Sequence, residues 1–212
     1  MKIEQIIFDF DGVILPSHKI KDIAFYELFL SYGKKIALTA LNYHKKNIGK
    51  SRYIKFYFII KYLLKEKVTK KKLDSLSKNF NQLTLKKINN LKISKYLLEF
   101  FKKEKKNYNF YISTGTPQNI IQQILKNKKI SKYFKKVYGS PMNKIQHIKK
   151  IKKNKKNTLF IGDSMEDFIC CKKTNTNFLL KEHNENKNIF LKKKILKIKN
   201  FKNFKNFLLY IN

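Results

Sequence analysis

Short apolar runs alternate with longer stretches of helical spacing along most of the chain. The run at residues 3–8 is rich in β-branched and aromatic side chains, which favour strands. Similar runs follow at residues 110–113, 137–138, 158–161 and 178–180, the last strand that the pattern predicts. Apolar residues at helical spacing lie between them, and this alternation is typical of a parallel sheet. The pattern therefore predicts an α/β protein whose sheet and flanking helices form three layers.

One long stretch interrupts the alternation directly after the first strand. From about residue 19 to residue 88, apolar side chains recur with the period of a helix. We therefore predict two domains: an α/β core of residues 1–17 and 90–212, and an all-helical cap inserted at residues 18–89. A C-terminal amphipathic helix is expected within residues 201–208.

The chain is strongly basic for its length. Its 212 residues include 49 Lys and Arg against 14 Asp and Glu, a formal net charge of +35. Such a charge favours nucleic acid or another anionic surface as a partner. Lysines are spread over almost every segment, however, which indicates a compositional bias on solvated faces. We therefore do not expect nucleic acid as a partner, although the charge should steer anionic substrates toward the protein.

Neither export nor membrane insertion is expected. No cleavable apolar leader precedes the first strand, and the apolar segment at residues 53–64 is short and contains Lys55 and Lys61. Cys170 and Cys171 are adjacent, a spacing that suits neither an ordinary disulfide nor a metal pair. These features predict a cytoplasmic protein with reduced thiols.

Two carboxylates follow the first predicted strand. Asp9 and Asp11 are one residue apart, and Gly12 after them allows a sharp turn. Two acids at the end of a buried strand are costly unless a cation lies between them. Ligands bind at the carboxyl ends of strands in open α/β sheets. This stretch therefore predicts a magnesium and phosphate site.

Three later strands also end in polar residues. Thr114 ends the second strand, and Lys144 lies just beyond the third. Asp163 follows the fourth strand, and Asp167 lies four residues further on, on the same face of the next helix. A hydroxyl, an ammonium group and carboxylates are the groups that bind phosphoryl oxygens and Mg²⁺.

Taken in order, these motifs resemble those of the haloacid dehalogenase-like hydrolases. The signature of that superfamily is Asp-x-Asp-Gly, a strand ending in Ser or Thr, a Lys, and Gly-Asp-x-x-x-Asp. The resemblance covers essentially the whole chain and implies a Rossmann-like core. The helical stretch after the first motif is similar to the cap of the phosphoglycolate phosphatase and β-phosphoglucomutase-like members.

The resemblance implies roles for the acidic residues. Asp9 would be the nucleophile, and Asp11 would protonate the leaving group and then activate water. Mg²⁺ would be bound by Asp9, by the backbone carbonyl of Asp11 and by Asp163. Asp167 would bind the metal through water or orient Lys144, and the competing interpretation is an acid in the first turn of a helix.

The phosphoryl group would be bound by a second set of residues. Thr114 and Lys144 would contact its oxygens, with the backbone amides of Gly12 and Gly115 as further donors. Thr114 alone is more often a helix cap, and the two roles are compatible.

A cap loop is expected to select the substrate. Residues 49–52 read Gly-Lys-Ser-Arg and resemble the Gly-x-Ser-Arg specificity loop of β-phosphoglucomutase-like proteins. The resemblance implies that Arg52, the only arginine of the chain, binds a distal anionic group of the substrate, with Lys50 beside it. The competing interpretation is a surface arginine. No function is predicted for the histidines, which show no ligand spacing: His18, His44, His147 and His183.

The sequence thus predicts a Mg²⁺-dependent phosphatase that hydrolyses a small phosphorylated metabolite through an aspartyl-phosphate. A sugar phosphomutase is the alternative within the same family. A basic, non-catalytic protein that binds nucleic acid or an anionic surface is the alternative from another class. The sequence makes no prediction of oligomeric state.

Overall fold

All strands of the described chain lie in one parallel sheet. The structure, a computed structural model, describes residues 2–153 and 157–211. The sheet has six strands in the order β3-β2-β1-β4-β5-β6. Their bounds are β1 Gln5–Phe8, β2 Asn109–Pro117, β3 Phe134–Ser140, β4 Thr158–Gly162, β5 Asn177–Lys181 and β6 Leu196–Ile198.

Helices cover both faces of this sheet and also form a separate layer beside one end of it. Their bounds are α1 His18–Phe29, α2 Lys34–Lys46, α3 Arg52–Phe58, α4 Lys70–Asn90, α5 Lys95–Glu104, α6 Gln118–Asn127, α7 Lys144–Lys152, α8 Met165–Lys173 and α9 Phe204–Ile211. The predicted α/β, Rossmann-like architecture with an inserted run of helices is confirmed.

Strand β1 is apolar on both sides because both faces of the sheet are buried. Ile6 and Phe8 belong to the apolar cluster that α5, α6 and α9 cover, whereas Ile7 belongs to the cluster beneath α7 and α8. Successive strand residues point to opposite faces, so a continuous apolar run is what a doubly covered strand requires. This explains why the pattern at residues 3–8 shows no alternation.

The strand order places a crevice next to β1. The chain runs from β1 to β2 and β3 on one side, and then crosses β1 to continue with β4 on the other. Ile7 pairs with Tyr111 of β2 and with Phe160 of β4. Connections leave the sheet in opposite directions at such a switch point, and ligands bind there.

Helices α1 to α4, here called the helical insertion, have an apolar core of their own. It is built around buried rings on α1, α3 and α4, those of Phe25, Phe29, Phe56 and Phe80. Every element within residues 18–90 is helical, as the spacing of apolar residues predicted. The division into a core domain and a cap domain at residues 18–89 remains a prediction, and residues 1 and 212 at its ends lie outside the described residues.

The strand predictions were wrong at three places. Residues 178–180 do not form the last strand, since β6 follows and pairs with β5. β6 has only three residues, lies at the sheet edge and is mostly exposed, so no apolar alternation marks it. β2 extends to Pro117, beyond the predicted residues 110–113, and β3 is longer than residues 137–138.

Two further expectations concern the state of the cysteines and insertion into a membrane. Both Cys170 and Cys171 are buried free thiols. No helix in the described part of the chain is long and apolar enough to cross a membrane.

Candidate active site

The residues predicted from four strand ends lie together at the switch point. Asp9 follows β1, and its amide donates to the carbonyl of Ile161 in β4 at 2.9 Å, so the acid lies over the β1–β4 crevice. Thr114 lies in β2, Lys144 opens α7, and Asp163 follows β4. All four side chains are buried.

Gly12 turns the chain away from this edge of the sheet. Its φ of +81° favours glycine, and a Cβ there would lie 2.1 Å from both Oδ2 of Asp163 and Nε2 of His18. The turn after Asp11 thus leaves room for two functional side chains, a reason for the glycine that the sequence alone did not show.

Lys144 joins two of the acids. Its Nζ lies 3.0 Å from Oδ2 of Asp9 and donates to Oδ1 of Asp167 at 2.5 Å. Burial raises the pKa of Asp9 well above its usual value, and the acids around it add to this, whereas Lys144 opposes it. Burial also lowers the pKa of Lys144, but Asp167 and Asp9 outweigh that effect and raise it. The raised pKa keeps Lys144 charged at neutral pH.

Asp167 both contacts Lys144 and lies in the first turn of a helix, which the sequence left open as alternative interpretations. Its Oδ2 accepts from the amide of Ser164 at 3.1 Å and from the Ser164 hydroxyl at 2.5 Å, forming a capping box at the start of α8. Its Oδ1 contacts Lys144. The same carboxylate thus caps a helix and orients the lysine.

The acids fit a divalent cation. Carboxylate oxygens of Asp9, Asp163 and Asp167 lie within 4.8 Å of one another. Oδ1 of Asp163 is buried and has no hydrogen-bond partner in the part of the chain that the structure describes. An orphaned carboxylate oxygen beside two further acids is costly without a cation. Mg²⁺, which takes hard oxygen ligands, suits this set.

Two histidines that sequence reasoning left unassigned contact Asp163. Nε2 of His18 lies 2.6 Å, and Nε2 of His183 3.0 Å, from Oδ2 of Asp163. Burial would raise the pKa of Asp163, but these imidazoles lower it to about 2. Burial would lower the pKa of His18, but Asp163 and Asp11 raise it to about 9. No local signal links positions 18, 163 and 183, so only the fold shows the contact.

Asp11 points toward the helical insertion. Its carboxylate accepts from Lys21, from the Ser17 hydroxyl at 2.6 Å and from the Thr116 hydroxyl at 3.1 Å. Burial would raise the pKa of Asp11, but Lys21 and Ser17 outweigh it and hold the pKa well below its usual value. The sequence did not predict these three partners. Its one indication is that Ser17 and Lys21 are four residues apart, a spacing that places them on the same face of a helix.

Thr114 and Gly115 lie where β2 meets the loop before α3. The Thr114 hydroxyl accepts from the amide of Thr116 at 3.1 Å. A Cβ at Gly115 would lie 2.7 Å from the carbonyl of Gly49, so the strand and the loop are in close contact. Lys50 follows in that loop, is exposed, and donates to Asn47 at 3.0 Å.

A cavity lies between the sheet edge and the helical insertion. Asp9, Asp11 and Thr114 line one wall, and Lys50 and Arg52 are among the residues of the other. Arg52 is not at the surface: it is 6% exposed, its guanidinium group lies 4.5 Å from the ring centre of Phe80, and Nη1 donates to Asn81 at 2.5 Å.

Fold and site together define the class of protein. It is an α/β protein with a carboxylate-rich site at the switch point of its sheet, beneath a helical insertion. The chain belongs to the haloacid dehalogenase-like hydrolases, whose family model matches residues 6–181. A search of curated protein sequences finds no significant match.

Solved structures share this fold over nearly the whole chain. A hydrolase from Pseudomonas syringae has a TM-score of 0.74 at 16% identity, covering 98% of this chain and 99% of its own. A predicted phosphoglycolate phosphatase from Haemophilus somnus has a TM-score of 0.73 at 16% identity and 98% coverage of both chains. YfnB from Bacillus subtilis, described in a magnesium-bound form, has a TM-score of 0.67 at 14% identity, covering 99% of this chain and all of its own.

Proposed function

We propose that the protein is a Mg²⁺-dependent phosphatase that hydrolyses a small phosphorylated metabolite through an aspartyl-phosphate. One observation carries the proposal: separate strand ends bring Asp9, Thr114, Lys144 and Asp163 into a single buried site. The family consists of hydrolases, and the similar protein from Haemophilus somnus is described as a predicted phosphoglycolate phosphatase. The buried free thiols support a cytoplasmic location.

Asp9 is the nucleophile in this proposal. Burial favours its neutral form, so it attacks phosphorus only where a cation favours the carboxylate. Lys144 supplies one positive charge at 3.0 Å. Mg²⁺, held by Asp9, Asp163 and the backbone carbonyl of Asp11, with Asp167 beside it, would supply the charge that offsets repulsion between carboxylate and phosphate.

Asp11 transfers the protons. Its contact with Lys21 keeps it ionised, so it can accept a proton from the attacking water, but only as a weak base while that contact lasts. In the first step it must carry a proton for the departing alkoxide. An anionic substrate beside Lys21 competes for that lysine, and weakening the contact raises the pKa of Asp11.

The remaining predicted residues bind the substrate. The Thr114 hydroxyl, Lys144 and the amide of Gly115 contact the phosphoryl oxygens. The predicted role of the Gly12 amide was wrong, because this N–H donates to the carbonyl of Leu15 at 2.7 Å within the turn. Arg52, on the opposite wall of the cavity, binds a distal anionic group, with Lys50 at the rim. The helical insertion excludes bulk water from the reacting groups.

Phosphate release from p-nitrophenyl phosphate and a metabolite panel tests the proposal. We expect release that requires Mg²⁺, and a loss of about three orders of magnitude or more in Asp9→Asn, because the nucleophile is removed. Asp74→Asn, which alters an exposed acid of α4, should retain wild-type activity. Activity of Asp9→Asn equal to wild type would exclude Asp9 as the nucleophile. The panel with and without a bisphosphate activator separates hydrolysis from phosphoryl transfer between sugars.

A further inference from the structure

Two buried basic side chains of the helical insertion lack an acidic partner in the described part of the chain. Arg52 and Lys55 lie one turn apart on α3, are 6% and 4% exposed, and line the same cavity as Asp9. Within residues 2–153 and 157–211, neither has a carboxylate within 4.0 Å. Buried charges are normally paired, because an unpaired charge loses its hydration without compensation.

Lys55 is held in place by a chain of polar groups that crosses three helices. Its Nζ lies 2.9 Å from Nδ1 of His44 on α2, and Nε2 of His44 lies 3.3 Å from Oδ1 of Asp22 on α1. The 3.3 Å contact does not have hydrogen-bond geometry, but the negative charge of the carboxylate favours the tautomer with its proton on Nε2, which leaves Nδ1 to accept from Lys55. Phe25 stacks on the imidazole at 3.9 Å and fixes the plane of the ring.

The acids of the cavity do not compensate these two cations. Asp9 is paired with Lys144, and Asp11 with Lys21. The ammonium group of Lys55 has three donors, of which His44 takes one. Among the described residues, basic groups without an acidic partner are therefore concentrated on the cavity wall that faces the sheet edge.

We propose that Lys55, positioned by His44 and Asp22, is a further specificity-determining residue of the subsite at which Arg52 binds the distal anionic group of the substrate. The inference rests on the proposed function and adds this residue to the same site. A carboxylate and a second phosphate both match an ammonium beside a guanidinium group.

A proton accompanies binding at this subsite. Burial and the nearby cations Lys21 and Arg52 lower the pKa of Lys55 to about 7, against the weaker opposing effect of Asp11 and Asp22. Burial keeps His44 neutral, because it lowers the pKa of the imidazole to about 3. An anion bound at Lys55 favours the ammonium form, so the protein takes up a proton on binding above the free pKa.

Non-hydrolysable phosphonates test the subsite directly. The probes are 3-phosphonopropionate, ethane-1,2-bisphosphonate and propylphosphonate, together with homologues of each that are longer by one and two methylenes, and affinity is measured calorimetrically with Mg²⁺ present. We expect at least one doubly functional probe to bind at least about tenfold tighter than its propylphosphonate twin. The tighter of the two anionic series identifies carboxylate or phosphate as the second group. Equal affinity of all three series overturns the proposal.

Lys55→Met provides the matched variant, with the exposed Lys61→Met as its control. Lys55→Met should remove most of the preference for the anionic probes and leave propylphosphonate binding unchanged. At about pH 8, close to one proton should be taken up with an anionic probe beyond that with propylphosphonate, and Lys55→Met should abolish the difference. A variant that keeps both the preference and the proton uptake overturns the role of Lys55.

His44 and Asp22 are positioning residues in this proposal. His44→Leu should raise the KM of an anionic ester with little change in kcat, and His44→Gln, whose amide oxygen can accept from Lys55, should restore the KM. Equal effects on anionic and neutral esters would overturn a positioning role. If the wild type binds the anionic phosphonates through Lys55 but releases no phosphate from any ester, the proposed phosphatase function fails and the subsite stands.

Discussion

Histidines of this chain differ in charge because of what surrounds each ring. Asp163 and Asp11 raise the pKa of His18 to about 9 in spite of burial. Burial lowers the pKa of His44 to about 3, and burial together with Lys144 lowers that of His147 to about 4. The sequence shows only that each of these residues is a histidine, and it gives no information about the pKa of the ring. Only the neighbours distinguish an imidazolium beside a carboxylate from a neutral ring in the interior.

His147 makes the stability of the protein depend on pH. The unfolded chain protonates this ring below its usual pKa of 6.5, whereas the folded protein does so only near 4. Between these values the unfolded state binds more protons, so stability falls as the pH falls, by up to about 1.4 kcal/mol per pH unit. Urea unfolding of wild type and His147→Phe between about pH 6.5 and about 4.5 measures the effect.

We expect the slope of stability against pH to be smaller in His147→Phe by about 1 kcal/mol per pH unit. His44 titrates with the same sign and is present in both proteins, so the difference between them reports on position 147. Parallel slopes would show that His147 is protonated in the folded protein over this range.

The helices and strands of this protein differ in how clearly the pattern of apolar residues predicts them. α1 and α4 bury Phe25, Phe29 and Phe80 on one face, and this spacing is visible in the sequence because the faces are apolar over several turns. β6 shows no such pattern, since a three-residue edge strand is stabilised by its pairing with β5 and not by burial of its side chains. Length and burial, more than propensity, therefore decided which elements could be predicted.

Phe29 tests the apolar core of the helical insertion. Its ring is fully buried near the rings of Phe25 and Phe56, with centres 6.4 and 6.2 Å away. Phe29→Ala should lower the free energy of unfolding by about 3–5 kcal/mol, because the truncation leaves a cavity. Ile23→Ala, at a half-exposed position of the same helix, should cost about 0.5 kcal/mol or less. Urea unfolding followed by far-ultraviolet circular dichroism makes the comparison, and equal losses would place Phe29 outside the cooperative core.

The whole molecule combines a doubly covered sheet with an excess of positive charge. The net charge of +35 is distributed over a chain of 212 residues, and most lysines are exposed. Like charges repel more strongly in the compact state than in the expanded chain. A small part of this charge lies at the candidate active site, on Lys21, Lys144, Arg52 and Lys55, where the side chains are buried or nearly so.

Salt should therefore stabilise the protein. Raising sodium chloride from about 20 to about 300 mM shortens the screening length below 10 Å and weakens the repulsion. We expect the urea midpoint of unfolding to rise, and to rise equally in potassium chloride, since screening does not depend on the cation. A midpoint that stays constant or falls with salt would show that the surface lysines do not destabilise the fold. Any binding of nucleic acid should weaken steeply over the same range.

The sequence by itself determined the α/β alternation, the helical stretch after the first strand, and the identity of Asp9, Thr114, Lys144 and Asp163 as candidate site residues. It could do so because each of these residues lies in or just after the carboxyl-terminal part of a strand, and the carboxyl ends of parallel strands meet at one edge. Sequence motifs and secondary-structure elements depend mainly on residues that are close together in the chain, so the sequence is sufficient to predict them.

Only the tertiary structure decided which groups surround those residues. His18 contacts Asp163 across 145 positions of the chain, and Lys55 contacts His44 from another helix. Burial, which raises the pKa of Asp9 and lowers that of Lys55, is a property of packing between distant segments. Charge and pKa depend on such distances and on the loss of water, and neither is encoded in the spacing of residues along the chain.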